Sequence, residues 1–487
     1  MWFIDNLSFI IYTFVIVSYA ISILVIISIM ILENRNPLKS LSWILVLLLL
    51  PMIGIALYIF FGQNLRKQKI INRKGLENHD YLLSVASEQT KDLSQFYGLN
   101  NHLLAEKERI MQLQLFNSNS VLTAGNKVQL LHNGRDKFNV MFEALRGAKK
   151  FIHLQYYIIE KDEIGKSLME LLVQKVREGV EVRVIVDDVG SWEFKDKDFK
   201  KLRAEGIEIY SFLTVRFPSF TSKLNYRNHR KIVIVDGLIG FLGGVNVADR
   251  YIHGSPVYGI WRDTHLKIEG DAVNTLQTIF SIDWYFVSQV ELLDKKYYPA
   301  REPIGDKLVQ ISSSGPDTDW PGIMMGFFKL ITTAKKYVYI TTPYFMPNDS
   351  ISMALKTAAM AGVDVRIIIP GKSDAYLTRL SSLSYLKEMM LANVKIYFYQ
   401  KGFMHSKVMV SDDMVSSVGS ANMDFRSFEQ NFEVTAFVYN TAFALELKEQ
   451  FNQDFADSKR LVLSEWKKRP LRQKAKESLA RLFSPLL

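Results

Sequence analysis

The pattern H-x-K-x4-D occurs twice in this 487-residue chain, at His229, Lys231, Asp236 and at His405, Lys407, Asp412. Each copy carries the same spaced tail: Gly243, Gly244 and Asn246 after the first, Gly419, Ser420 and Asn422 after the second. In both, Asp follows His by seven residues and Asn follows it by seventeen. The chain holds eight histidines. At this composition one such match arises by chance about 10^-4 times per chain. Two matches mean duplication, so the chain must fold as two copies of one unit with a paired active site.

The duplication extends beyond the motif. VQLLHNG at Val128–Gly134 matches VQISSSG at Val309–Gly315, AKKFIHLQYY from Ala148 matches AKKYVYITTPY from Ala334, and GVEVRVIV from Gly179 matches GVDVRIII from Gly362. Within a repeat the reading is β-α-β. Phe151–Ile159 is apolar and aromatic-rich, a strand. Ile164, Leu168, Leu171, Leu172 and Val176 fall at helical spacing. Val182–Val186 is a second short strand. In the second repeat the helix covers about Ile351–Met360, ahead of a strand over Val365–Ile369. Alternating strands and helices predict an α/β fold with a mixed, mostly parallel sheet flanked by helices.

Read as a strand, N-H-R-K-I-V-I-V-D-G projects His229 and Lys231 from one face, because side chains at i and i+2 share a face. His405 and Lys407 do likewise. Asp236 and Asp412 complete the catalytic motif but read as turn residues that bond nearby backbone. Gly244 and Ser420 are small enough to let backbone approach a ligand, and Asn246 and Asn422 can donate hydrogen bonds. One His, Lys and Asn per repeat suits a phosphodiester, with those four phosphate-binding positions serving its oxygens. Two Lys and two Asn can balance charge on phosphate oxygens without a metal. Of two histidines, a neutral one attacks phosphorus and a protonated one gives its proton to the leaving alcohol. No close His/Asp/Glu spacing suggests a metal site, and no cofactor is implied. The other six histidines read as packed or solvated.

Two further features bear on location. Leu7–Leu32 and Ser40–Gly62 are uncharged runs of 26 and 23 residues, each long enough as a helix to exceed the ~30 Å hydrocarbon core. The n-region carries Asp5 and no Lys or Arg, which argues against a cleaved signal peptide. Arg66, Lys67, Lys69, Arg73 and Lys74 follow the second run, so the positive-inside bias predicts a two-span hairpin with the catalytic repeats and both termini cytoplasmic. From Lys459 to the end, nine Lys/Arg stand against Glu465 and Glu477, accounting for most of the net charge of +10. There Leu471, Ala475, Leu479, Leu482 and Phe483 share one helical face. That predicts either an interfacial helix on anionic lipid or a helix packed on the catalytic domain. The absence of cysteine excludes disulfides, thiolate catalysis and Cys-based zinc sites.

The duplicated motif resembles the signature of the phospholipase D superfamily. The paired apolar runs with NRNP, together with LQYYII, GIWRDTHLKIEG, TTPYFMP, NMDFRSFEQNFE and RLFSPLL, are similar to bacterial cardiolipin synthases over nearly the whole chain. The resemblance implies two phospholipase D-like repeats about a pseudo-twofold axis, with both histidines at their interface. It also implies a late acidic residue in each repeat that orients a histidine ring: Glu433, eleven residues after Asn422, and Asp263, seventeen after Asn246. The implied reaction converts two phosphatidylglycerols to cardiolipin and glycerol through a phosphohistidine, with phosphatidylglycerol and anionic membrane lipid as partners and no nucleic acid. Another phosphatidyl transferase or a hydrolytic phospholipase D uses the same motifs and differs only in acceptor. A membrane-anchored lipid binder with a dead site is the non-enzymatic alternative. The expected organisation is a hairpin over 1–65, a polar, mostly helical connector over 66–120, repeats over 121–300 and 301–460, and a basic amphipathic tail over 461–487.

Overall fold

The computed structural model describes residues 2–32, 37–50, 53–55, 58, 107–214 and 225–487. The chain divides into two compact units, Met1–Asn72 with Val215–Asn225, and Arg73–Thr214 with Tyr226–Leu487.

In the first unit, helices cover Trp2–Leu32 and Pro37–Leu49. Leu47 and Tyr58 are buried, with Val25, Ile26, Trp43 and Ile55 packed against them. The side chains of Phe9, Phe14, Ile23 and Leu24 are exposed. Among the described residues no helix is long and apolar enough to cross a membrane. Both predicted spans run beyond what is described: in the first helix the side chains of residues 2–8, 11 and 29–32 lie outside it, and so do residues 51–52, 56–57 and 59–62 of the second span.

The second unit is built on one fifteen-stranded sheet. Its seam is the antiparallel pair Leu122–His132 and Lys307–Ser314, the first strand of each repeat. Outward from the seam in the first repeat come Thr264–Glu269, Ile239–Gly243, Ile232–Val235, Phe151–Tyr156, Glu181–Asp187 and Glu208–Phe212. In the second repeat the order is Glu433–Tyr439, Val415–Gly419, Val408–Ser411, Tyr337–Thr341, Asp364–Pro370 and Lys395–Tyr399, with Ser458–Arg460 added at the edge. The two orders correspond strand for strand. Two like units joined edge to edge through antiparallel first strands are related by a pseudo-twofold axis at the seam.

The β-α-β cores form where the sequence pattern put them. Helix Glu163–Arg177 starts where the Asp162 side chain accepts from Gly165 N–H, and Asp349–Met360 where Asn348 accepts from Ile351 N–H. Leu168, Leu172, Ile351 and Leu355 are buried. The expectation of a mostly parallel sheet is corrected. Within the fifteen-stranded sheet only the two crossovers in each repeat pair in parallel. The motif strands Ile232–Val235 and Val408–Ser411 turn directly into Ile239–Gly243 and Val415–Gly419 as hairpins, which forces antiparallel neighbours.

Those hairpin turns explain the motif aspartates. Asp236 and Asp412 sit at φ of +54° and +57°, where Asp is one of the tolerated residues. Asp236 accepts from the backbone N–H of Lys149, Lys150 and Phe151 at 2.7–2.9 Å. Asp412 accepts from Lys335, Lys336 and Tyr337 at 2.8–3.1 Å and pairs with buried Lys107 at 3.1 Å. The backbone they bond is not nearby in sequence: it is the AKK segment that enters the next strand of the sheet. Both carboxylates are thus engaged with backbone at a turn, and neither lines the cavity described below.

Of the predicted connector, residues 66–106 lie outside the description. Helix Glu108–Ser118 buries Ile110, Met111 and Leu115 in the same core as Leu330, Ile340 and Leu355 of the second repeat. Gln310 Nε2 donates to Met111 O at 3.1 Å.

The C-terminal helix Leu471–Arg481 buries Glu477 and Ala480, and Ser484 in the turn that follows is buried as well. Ser484 Oγ lies 2.6 Å from Ser381 Oγ, and Arg481 pairs with Glu388 at 2.7 Å. Its apolar face points the other way. Leu471, Leu479 and Leu482 are 81%, 62% and 75% exposed.

Asp236→Ala leaves three N–H donors short of their acceptor. We expect it to lower unfolding free energy by roughly 2–4 kcal/mol, measured by denaturant titration, while activity per folded molecule stays within severalfold of the parent.

Candidate active site

Each histidine is held by backbone from the opposite repeat. His229 N–H donates to Phe432 O at 2.9 Å, and Phe432 N–H returns a bond to Arg227 O at 2.9 Å. His405 N–H donates to Arg262 O at 2.8 Å, beside the parallel pairing of Gly402–Met404 with Ile260–Arg262. Phe432 precedes Glu433 and Arg262 precedes Asp263. The acids are therefore delivered across the interface. His229 Nδ1 lies 3.0 Å from both oxygens of Glu433, and His405 Nδ1 lies 2.6 Å from Asp263 Oδ2. Each carboxylate meets the other repeat's histidine, not its own. The unequal offsets also find a cause. Repeat 1 carries a six-residue turn, Gly254–Gly259, whose end glycines sit at φ of +74° and +71°.

Gly244 and Ser420, expected to bind phosphate, lie against the carboxylates. A Cβ on Gly244 would lie 2.2 Å from Asp263 Oδ1. The Ser420 hydroxyl donates to Glu433 Oε2. Asn246 and Asn422 do reach the cavity described below. Asn246 Nδ2 donates to Tyr251 Oη at 2.7 Å and its Oδ1 accepts from Ile158 N–H at 3.2 Å.

The lysines lie behind the histidines. Lys231 Nζ donates to His229 O at 2.7 Å. Lys407 Nζ donates to His405 O and lies 3.0 Å from His405 Nδ1. Both are buried, and burial lowers Lys231 well below the ordinary lysine value.

A cavity of about 330 Å³ joins the two halves. His229, His405, Asn246 and Asn422 line it, and among the described lining residues neither lysine appears. With Nδ1 engaged, Nε2 of each ring is the nitrogen available to a substrate. Arg227, Arg250 and Arg426 also line the cavity and were not singled out from sequence. A signal existed for two of them: Arg250 and Arg426 each follow the motif Asn by four residues.

The electrostatics separate the two histidines. Burial lowers His229 to about 4, with Lys231 adding and Glu433 opposing. Burial pushes Glu433 up, but His229, Lys231 and the Ser420 hydroxyl more than offset it and hold it below the ordinary carboxylate range. His229 is thus a neutral ring beside a fixed anion at neutral pH. Burial raises Asp263 to about 6 against the pull of Lys407. Burial, Lys407 and Lys231 hold His405 well below its ordinary value. The His405–Asp263 pair therefore includes a carboxyl that titrates near neutrality. Burial lowers Lys407 to about 8.

This duplicated, crossed site has close relatives. A model of the cardiolipin synthase phospholipase D-like domain matches residues 141–284 and again 327–455, and a phospholipase D-nuclease N-terminal model matches 20–63. The cardiolipin synthase of Alkalihalophilus pseudofirmus is 38% identical over 97% of this chain and 93% of its own length. The major cardiolipin synthase ClsA of Bacillus subtilis is 39% identical over 96% of this chain and 98% of its own. The chain belongs to the cardiolipin synthase family. The fold is shared with a solved phosphatidylserine synthase of Haemophilus influenzae, with a TM-score of 0.59 over 80% of this chain and all of that one, at 15% identity. Within the cardiolipin synthase family, this chain is a phosphatidyltransferase of the phospholipase D type.

The lowered His229 sets a pH expectation. A pKa below 6.5 keeps the ring neutral to lower pH, so the acid limb of kcat/KM should fall below pH 6.5, toward 4. Glu433 opposes that lowering, so Glu433→Gln should move the limb lower still and cost at least about 10²-fold in rate. A pH–rate series on both proteins measures this.

Proposed function

We propose that this enzyme makes cardiolipin from two phosphatidylglycerols through a phosphohistidine on His229. The observation that carries the reading is the pair of opposed histidines on one basic cavity in a chain that matches cardiolipin synthases end to end. His229 Nε2 attacks phosphorus of the first lipid. A P–N bond forms, the P–O bond to glycerol breaks, and the proton held by the His405–Asp263 pair passes through His405 to the departing glycerol oxygen. A hydroxyl of the second phosphatidylglycerol then attacks. Its proton passes to His405, the P–N bond breaks and the new P–O bond completes cardiolipin. Two displacements retain configuration at phosphorus.

The assignment of roles rests on the acids. A fixed Glu433 anion offsets the positive charge a ring gains when Nε2 is phosphorylated. Asp263, titrating near neutrality, suits the partner of a group that must gain and lose a proton. Arg227, Arg250, Arg426, Asn246 and Asn422 stand where phosphate oxygens would lie, with Lys231 and Lys407 supplying charge from behind.

The substrate is a membrane lipid, and the reading includes membrane attachment. The uncharged runs over 7–32 and 40–62 serve as two spans, with the catalytic repeats and both termini cytoplasmic. The matched N-terminal model, helix Trp2–Leu32 and its exposed apolar side chains support this. The exposed leucine face of the C-terminal helix, flanked by Arg472, Lys476 and Arg481, adds a second contact suited to anionic lipid.

Purified full-length protein in phosphatidylglycerol vesicles should release glycerol and form cardiolipin in equal amounts, read by mass spectrometry. Phosphatidic acid as sole product would leave a phospholipase. His229→Ala and His405→Ala should each cost about 10²- to 10⁴-fold. With a good leaving group, His405→Ala should accumulate the phosphoryl adduct on His229, and an adduct on His405 in the reciprocal variant alone would reverse the roles.

A further inference from the structure

The two repeats do not face the cavity with the same groups. Aligning Asn246 with Asn422 sets Ala248 against Asp424, and aligning Asp263 with Glu433 sets Trp261 against Asn431. Ala248 is fully buried, whereas Asp424 lines the cavity. Trp261, Tyr251 and Tyr157 make the first repeat's wall aromatic. The second repeat's wall holds Asn431, Asp424, Asp374 and Tyr344. Tyr344 Oη donates to Asp374, 2.8 and 3.0 Å from its two oxygens.

The second wall is rich in acceptors. Asn431 and Asn422 are more than nine-tenths buried, and the Oδ1 atom of each accepts no hydrogen bond. A buried acceptor without a donor is costly, and a ligand that supplies the donor recovers that cost. A phosphodiester cannot do so. It is an anion without a hydrogen to give, and Asp374 and Asp424 would repel it. A polyol has hydroxyl hydrogens for all of these oxygens.

We propose that Asn431, Asp424 and Asp374 with Tyr344 form a hydroxyl-recognition subsite for a glycerol headgroup, the alcohol that leaves in the first displacement and attacks in the second. This rests on the transferase reading above and extends it. The subsite gives the asymmetry a purpose, since one active site built from two equal halves must still tell phosphatidyl donor from alcohol acceptor. It also gives the glycerol headgroup an advantage over water at the phosphohistidine, because water is too small to satisfy several fixed acceptors at once.

The test uses full-length protein in phosphatidylglycerol vesicles with added deuterium-labelled glycerol or 1-propanol as competing acceptors, the label marking phosphatidylglycerol newly formed by transfer to glycerol. Products are resolved by mass spectrometry for the parent, Asp374→Ala and Asn431→Ala. The parent should favour glycerol over 1-propanol. Each variant should lose about tenfold or more of that preference, and its ratio of cardiolipin to phosphatidic acid should fall with it. Asn431 Nδ2 also lies 3.4 Å from Glu433 Oε1, so a merely positioning role would slow transfer and hydrolysis in parallel. A parallel loss, an unchanged preference in either variant, or a parent indifferent to the alcohol overturns the subsite. Should Asn431→Ala fail to fold, Asp374→Ala, at the exposed rim, decides alone. A parent that forms phosphatidic acid and no cardiolipin instead overturns the transferase reading itself.

Discussion

The exchange of carboxylates between the repeats is the interaction on which this site depends. Neither repeat holds a complete set: each supplies a histidine that the other orients. The exchange is built from backbone first. His229 N–H to Phe432 O and His405 N–H to Arg262 O fix the residue just before each acid, so Glu433 and Asp263 have little freedom left when they reach the rings. Buried arginines complete the frame. Arg230 donates to Glu433 O at 3.2 Å and pairs with Asp283 at 2.5 Å, while Arg262 donates to Asp263 O at 2.5 Å and pairs with Asp454 at 2.9 Å. Burying such pairs costs desolvation energy, and breaking one by removing a partner costs more. The interface therefore fixes the position of both carboxylates against the histidines.

Crossing also creates a chemical difference between two rings that the duplication made alike. Glu433 meets His229 with both oxygens and a serine hydroxyl behind it; Asp263 meets His405 with one oxygen and a lysine at the same nitrogen. One side becomes a neutral ring beside a fixed anion, and the other a pair with a carboxyl near neutrality. A symmetric fold thus carries an asymmetric site. The cavity walls repeat that logic, aromatic on one side and acceptor-rich on the other.

Much of this was legible in the chain. The duplicated spacing pointed to two like units, the β-α-β periodicity located Phe151–Tyr156, Glu163–Arg177 and their counterparts, and Asn246 and Asn422 were picked out by offset alone. The direction of the sheet was misread because helical crossovers dominate the pattern while short hairpins leave little trace. Helix Glu108–Ser118 fell within the expected helical connector, but its place in the second repeat's core was not legible, because a polar stretch hides three core residues at helical spacing. The three cavity arginines were overlooked because an Arg near a motif looks like a solvated charge until a cavity forms around it.

The sequence by itself determined that there are two repeats, which residues recur in them and which chemistry those residues can support. Those facts are local: a motif's spacing needs no partner. Only the tertiary structure decided which acid serves which histidine, that Asp236 and Asp412 staple a distant strand entry, and that Gly244 and Ser420 make room for carboxylates. Each of these joins positions dozens to hundreds of residues apart, and the hydrogen bonds that set them exist only once the first strands of the two repeats have paired.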